Sequence, residues 1–296
     1  MKLIKTVGLI ALLAILQIIA MTVTIQVIKF GPDFALTPED ASRAVPMFVF
    51  VSIINSFLIL FFFRKVNNKD YKLIFWFIYI WFGLGTLLPQ TDTWYFMDAF
   101  PLIDYKILLK IISTGFMNSI LIIPISFFIT SRKSNETIDL QINKVLNLKI
   151  VKYLLLISVI YVILYYLAGY FIAWQFDAIR IHYSGTIDKL SFFDHTRQLL
   201  IDEPYFFPFQ LMRGALWFFI GIPLFIIFMK NKKEGLIFSF FIFAILPSIQ
   251  LFLPNPLMSE AVRIGHFIEG FISMGIFGVI AALVWQRYDS QLSNSL

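Results

Sequence analysis

Cysteine is missing from this sequence, since none of its 296 residues carries a thiol. The absence excludes disulfide bonds, thiolate nucleophiles, iron–sulfur clusters and zinc sites that use cysteine ligands. It also excludes transpeptidase chemistry of the exosortase type, which depends on a cysteine. The redox state of the compartment cannot be inferred, because the chain offers no thiol to oxidise.

Charged residues are also scarce, at 14% of the chain, whereas hydrophobic residues reach 59% and the mean hydropathy is +0.82. A soluble domain has about half apolar and about a quarter charged residues, so this composition excludes an ordinary cytosolic globule and a disordered chain. The net charge of +6 does not indicate a nucleic-acid partner, because the basic residues are scattered over the connections and form no stripe. The composition predicts an all-α polytopic membrane protein.

Eight apolar runs are long enough, or nearly so, to cross the ~30 Å hydrocarbon core as helices of ~20 residues. Helix is expected, because an open strand would leave backbone groups unpaired in lipid. The second and third runs are short, so a re-entrant segment is the alternative at either. The first run follows two lysines without a clean cleavage site, which favours an uncleaved signal anchor over a cleaved signal peptide. The runs are residues 7–28, 47–63, 73–88, 107–129, 150–174, 209–229, 236–253 and 262–285.

The distribution of basic residues predicts the orientation of these spans. Most of them fall in the segments that share a side with the N-terminus, so the positive-inside rule predicts that both termini are cytoplasmic. The longest connection, residues 175–208, is then outside, and residues 192–201 are expected to form a short interfacial helix. Short loops suggest a bacterial plasma membrane. The inner basic residues are Lys2, Lys5, Arg64, Lys65, Lys69, Lys72, Arg132, Lys133, Lys144, Lys149, Lys230, Lys232, Lys233 and Arg287.

Three ionisable residues stand out in the last apolar run: Arg263, His266 and Glu269. A helix turns ~100° per residue, so the three lie within one arc of ~120°. An ionisable group at membrane depth costs ~2.5 kcal/mol or more unless it faces a partner or water. We therefore expect the arc to face the interior of the bundle, either as a structural network that locks the last helix or as a functional site.

Arg213, in the sixth run, is the expected partner of this arc. It could pair with Glu269, or join Arg263 in clamping an anion, and snorkelling to the interface is the alternative. His182, His195 and Asp194, in the long connection, are further candidates. Histidine–carboxylate pairs suit acid–base work or metal ligation. His266 with Glu269 is too short a motif to predict a metal, which would need a third ligand from the connection.

These residues lead to a first functional hypothesis, an enzyme at the outer membrane surface that uses His266 and Glu269 as catalytic groups. Its substrate would be an anionic lipid or another anionic envelope molecule. A transporter or proton-coupled permease that relays protons through the same pair is the second hypothesis. A structural, assembly or sensor subunit is the third. Membrane lipid is the expected partner, and the sequence leaves cofactor and protein partner unknown. The substrate-binding candidates are Arg213, Arg263, His195, His182 and Asp194.

Overall fold

Helix is the regular structure of this protein, and no strand occurs in residues 2–66, 70–130 and 148–293, which are the residues that the computed structural model describes. The α-helices are numbered here in chain order. They are α1 (Lys2–Ile28), α2 (Pro38–Val66), α3 (Lys72–Phe82), α4 (Leu88–Tyr95), α5 (Tyr105–Thr130), α6 (Lys149–Phe171), α7 (Asp177–Ser184), α8 (Phe192–Asp202), α9 (Phe206–Phe228), α10 (Lys232–Ile245) and α11 (Glu260–Ser293).

In the described residues, eight helical segments are long and apolar enough to cross a membrane. They confirm the predicted all-α fold with eight spans and support a multi-pass membrane protein. Four basic residues on which the predicted orientation partly rests, Lys69, Arg132, Lys133 and Lys144, lie outside the described residues. The segments are Leu3–Ile28, Pro38–Arg64, Lys72–Tyr95, Tyr105–Thr130, Lys149–Gln175, Phe206–Phe228, Lys232–Phe252 and Glu260–Leu292.

The two short apolar runs belong to longer helices than the sequence predicted. α2 begins after Thr37, whose Oγ1 accepts a hydrogen bond of 3.1 Å from the backbone N–H of Asp40. It continues through Pro46 without a break. α3 continues through a π-helical segment, Gly83–Leu87, into α4. Each run therefore gains the length it needs to span, which removes the reason for expecting a re-entrant segment.

The chain divides into two compact units, and the first comprises Met1–Asp139 together with Ile249–Met258. Within it α5 contacts α1, α2 and α3. Ring contacts form part of its core, and the centroids of Phe62 and Phe77 lie 4.2 Å apart. α1 and α2 are joined by Nε2 of Gln17, which donates to Oγ of Ser56 at 2.7 Å. This bond agrees with the expected use of polar side chains to hold spans together in lipid.

The second unit comprises Leu140–Ser248 and Ser259–Leu296, and it contains every residue of the predicted site. Within it α6 contacts α9 and α11, α10 contacts α11, and α7 lies on α11. Gly214 permits the close approach of α9 to α6, because a Cβ at this position would lie 2.7 Å from Cβ of Tyr161. The absence of one side chain therefore brings the polar face of α9 against the tyrosines of α6.

The long connection of the second unit is built around two short helices, α7 and α8. The second of them confirms the helix expected at residues 192–201, with one more residue at its end. Phe193 and Ile201 are 81% and 69% exposed, as expected for side chains that face lipid. The ring of Phe192 instead packs 5.1 Å from that of Tyr170 and attaches α8 to α6.

Candidate functional site

His266 and Glu269 form a bonded pair on α11. Nδ1 of His266 lies 3.0 Å from Oε2 of Glu269, across three positions of the helix. Glu269 is buried and His266 half-buried. Nε2 of His266 is buried and has no hydrogen-bond partner in the described part of the chain. A neutral His266 that donates through Nδ1 therefore presents the lone pair of Nε2 to its surroundings.

α7 covers this pair because Gly265 leaves room for it. A Cβ at Gly265 would lie 2.6 Å from Cδ1 of Ile179, which is closer than real side chains pack. The same approach brings the ring of Tyr183 to 5.6 Å from that of His266, edge to face. Tyr183 was not among the residues predicted from sequence, since only the packing of α7 on α11 places it there.

His182, the neighbour of Tyr183, also lies near the pair. Burial lowers the pKa of His182 below the ordinary value of a histidine, and the nearby charge of His266 lowers it further. Both effects favour the neutral imidazole at neutral pH. The structure therefore brings together two of the three histidines that the sequence singled out, together with Glu269.

Arg180 holds α7 in place, a role that sequence reasoning missed. Its buried guanidinium donates to the carbonyl of Ile187 at 2.8 Å and to the carbonyl of Trp174, and it pairs with Asp177. The carbonyls belong to residues on either side of α7, so one side chain ties the helix to both flanking segments. The spacing of Asp177 and Arg180, three residues apart on one helix, was the available signal.

His195 and Asp194 belong to a different environment. The His195 ring lies 5.0 Å from that of Trp174 and 5.5 Å from that of Tyr170, and burial lowers the pKa of its imidazole. Asp194 accepts a bond from Oγ of Ser191 at 2.5 Å, at the start of α8. Within the residues that the structure describes, neither residue bonds to the pair on α11. The His195 ring packs α8 on α6, and the bond of Asp194 with Ser191 lies within the first turn of α8.

Arg213 is buried, with 1% of its surface exposed, among aromatic side chains. Its Nη1 donates to Oε1 of Gln210 at 2.7 Å. The guanidinium carbon lies 5.4 to 5.8 Å from the centroids of three rings, distances at which cation–π attraction operates. This environment is not that of an arginine snorkelling to an exposed surface. The three rings are those of Tyr161, Tyr165 and Phe209.

In the described part of the chain, the structure pairs Glu269 with His266 and not with Arg213. The carboxylate of Glu269 bonds to Nδ1 of His266, and no bond to Arg213 accompanies it among the described residues. Arg263 is buried one turn before His266, and its backbone N–H donates to the carbonyl of Ser259 at 3.0 Å. The contacts described for the second unit fall into two polar clusters, one on α7 and α11 around His266 and the other on α6 and α9 around Arg213.

Neither cluster resembles a metal centre in its donor set. Among the residues that the structure describes, no group of three or more His, Asp or Glu side chains is placed to hold a metal ion. Comparisons with known protein families, curated proteins and solved structures give no match.

Proposed function

We propose that the chain is a multi-pass membrane enzyme whose second unit carries out acid–base chemistry on an anionic lipid or another anionic envelope molecule. The observation that carries the proposal is the pairing of His266 with Glu269, which occupies Nδ1 and leaves Nε2 without a partner among the residues that the structure describes. Histidines that move protons in enzymes have this arrangement, with one ring nitrogen held by a carboxylate and the other turned to the substrate.

His266 takes up or delivers the proton at Nε2 in this proposal. Glu269 fixes the tautomer and the direction of the ring, and its negative charge stabilises the imidazolium that forms during the reaction. Arg213 and Arg263 supply the positive charge that attracts an anionic substrate. His182 stays neutral beside the pair, so its imidazole adds no positive charge that would repel the imidazolium of His266.

The composition of α11 favours an enzyme over a proton-coupled permease. A relay across the membrane would need polar groups that continue from Glu269 toward the far end of the helix. Ser273 is buried one turn away, but the buried face beyond it is apolar as far as Tyr288. The buried apolar residues on this stretch are Met274, Phe277, Ala281, Ala282, Val284 and Trp285.

Turnover of defined lipids tests the proposal. The purified protein is reconstituted in vesicles of phosphatidylglycerol and phosphatidylethanolamine, and lipids and released headgroups are followed by mass spectrometry. We expect new products with the wild-type protein and a loss of about a hundredfold or more with His266→Gln, because general acid–base catalysis contributes about 10²–10⁴ in rate. Glu269→Gln should lose activity as well, since the amide cannot stabilise an imidazolium.

A matched control is Glu234→Gln, which makes the same change at an exposed position in the first turn of α10. It should keep the wild-type rate. Each variant is first checked for membrane insertion and for a single peak in size-exclusion chromatography. Equal turnover by His266→Gln and the wild-type protein would refute the catalytic role of His266. No lipid product with the wild-type protein would refute these lipids as substrates.

A further inference from the structure

Three hydrogen-bond donors lie along one buried face of α9. Gln210, Arg213 and Trp217 are 0%, 1% and 2% exposed. A helix turns ~100° and rises ~1.5 Å per residue, so these positions share an arc of ~60° and span about 10 Å along the axis. Their side chains end in an amide, a guanidinium and an indole N–H, and each can donate a hydrogen bond.

Two of these donors have no partner in the described part of the chain: Nε2 of Gln210 and Nε1 of Trp217. The amide of Gln210 is oriented by its other end, where Oε1 accepts the bond from Nη1 of Arg213. A buried donor that is left unpaired destabilises the folded state, because it has lost its hydrogen bond to water without gaining another. These two unsatisfied donors lie on the same face of α9 as the buried cation Arg213.

Aromatic rings enclose this face. Tyr161 and Phe209 are buried around the guanidinium, and Tyr165 beside them is only half-buried. The ring of Phe243 lies 6.2 Å from that of Trp217. An occupant therefore needs an oxyanion for the donors and an apolar part for the rings. Tyr165 is the most exposed of the three rings around the guanidinium.

We propose that Gln210, Arg213 and Trp217 form a binding site for the oxyanion of an amphiphile, with a lipid phosphate as its source. The guanidinium supplies charge-assisted hydrogen bonds, and the amide and indole N–H groups supply two neutral ones. The apolar part of the molecule packs on the rings of Tyr165 and Phe209. The site is the substrate-binding part of the enzyme proposed above. Its link to a reaction rests on that proposed function, but lipid binding can be measured without turnover.

Lipid binding tests the site directly. Delipidated protein in detergent is titrated with phosphatidylglycerol, and the retained lipid is counted by native mass spectrometry. A hydrogen bond from a charged group contributes about 1.5–3 kcal/mol, so Arg213→Gln should weaken binding by about tenfold or more. Trp217→Phe keeps an aromatic ring and removes only the N–H, and it should weaken binding by about threefold or more. Trp285→Phe, a matched change at another buried tryptophan of the unit, should leave binding unchanged.

The indole N–H of Trp217 gives a second readout. With ¹⁵N-tryptophan, its resonance should move downfield when phosphatidylglycerol binds, while that of Trp285 stays in place. Inorganic phosphate is titrated separately. If phosphate moves the Trp217 signal and the lipid does not, the lipid source is overturned. The whole site is overturned if neither phosphate nor lipid moves the Trp217 signal and Trp217→Phe binds lipid as the wild-type protein does. This outcome does not require that Arg213→Gln folds.

His266→Gln separates this inference from the proposed function. The variant should bind phosphatidylglycerol like the wild-type protein, because its change lies in the other cluster. Binding that depends on Arg213 and Trp217 without any turnover would contradict an enzyme that acts on this lipid and keep the lipid site. Turnover that depends on His266 but not on Arg213 or Trp217 would keep the enzyme and contradict this site.

Discussion

At the scale of single residues, the proximity of His182 and His266 makes a measurable prediction. The charge of His266 adds to burial in lowering the pKa of His182. Replacing His266 by Gln removes the charge, so the pKa of His182 should rise toward, but stay below, the ordinary value of about 6.5. The protein has three histidines, and ¹⁵N-histidine NMR resolves their titrations separately.

His195 serves as the internal control for this titration. Its pKa is lowered by burial alone, so it should not change in the His266→Gln protein. A His182 titration that is identical in both proteins would show that the two imidazoles lie farther apart than in the structure.

The same residues show what the sequence could predict about the site. The pairing of His266 with Glu269 is local, because positions three apart on a helix meet whatever surrounds them. The contact of Arg213 with the rings of Tyr161 and Tyr165 is not local, since it depends on how α6 packs against α9 at Gly214. The packing of the two helices determines this contact, and the spacing of residues along the chain does not predict it.

At the scale of elements, the contact of α7 with α11 depends on Gly265. Gly265→Ala should lower stability by about 1–3 kcal/mol, the usual cost of overpacking, because the added methyl would meet Ile179. Thermal unfolding in detergent measures the change. The packing of Tyr183 against His266 should be disturbed as well, since α7 carries Tyr183 and His182.

Gly169→Ala provides a matched control on α6. A Cβ there would meet nothing within 4 Å. The substitution should therefore leave stability unchanged or raise it by up to about 1 kcal/mol, since alanine favours helix more than glycine does. Equal effects at both positions would show that helix propensity, rather than the approach of α7, determines the outcome.

Acid should loosen the segment formed by α7 and α8. Burial lowers the pKa of His182 and of His195, so the unfolded segment binds more protons than the folded one below pH ~6.5. Their stabilising contribution is therefore complete above that pH and falls as the pH drops toward the lowered values. Hydrogen exchange over residues 177–202, corrected for intrinsic rates, should be faster at pH 5 than at pH 7.

The double variant His182→Gln with His195→Gln removes both titrating groups. Its corrected exchange should depend less on pH than that of the wild-type segment. If the wild-type segment shows the same protection at both values, the two histidines do not control it.

The helices themselves were largely predictable, because long apolar runs have one stable state in lipid. Their ends were less so. α2 extends through Pro46, a residue type that often ends a helix, and Gly83–Leu87 continues the third span as a π-helix. Both features depend on how backbone groups find partners within a packed helix, which hydropathy does not report.

At the scale of the whole molecule, the distribution of charge predicts which ends of the spans are cytoplasmic. The protein has no cysteine, so single cysteines can be labelled without background. Asp188→Cys, in the connection between α7 and α8, should react with a membrane-impermeant maleimide added outside intact cells. Lys233→Cys, at the start of α10, should react only after the membrane is permeabilised. Both positions are exposed.

The labelling pattern also decides where the proposed enzyme meets its substrate. α7 carries His182 and Tyr183 toward His266, so this end of the second unit lies on the same side as Asp188. Labelling of Asp188→Cys from outside places the acid–base pair at the outer leaflet, which is expected from the basic residues near the other ends of the spans. The reverse pattern would overturn the predicted orientation and direct the search for a substrate to the lipids of the cytoplasmic leaflet.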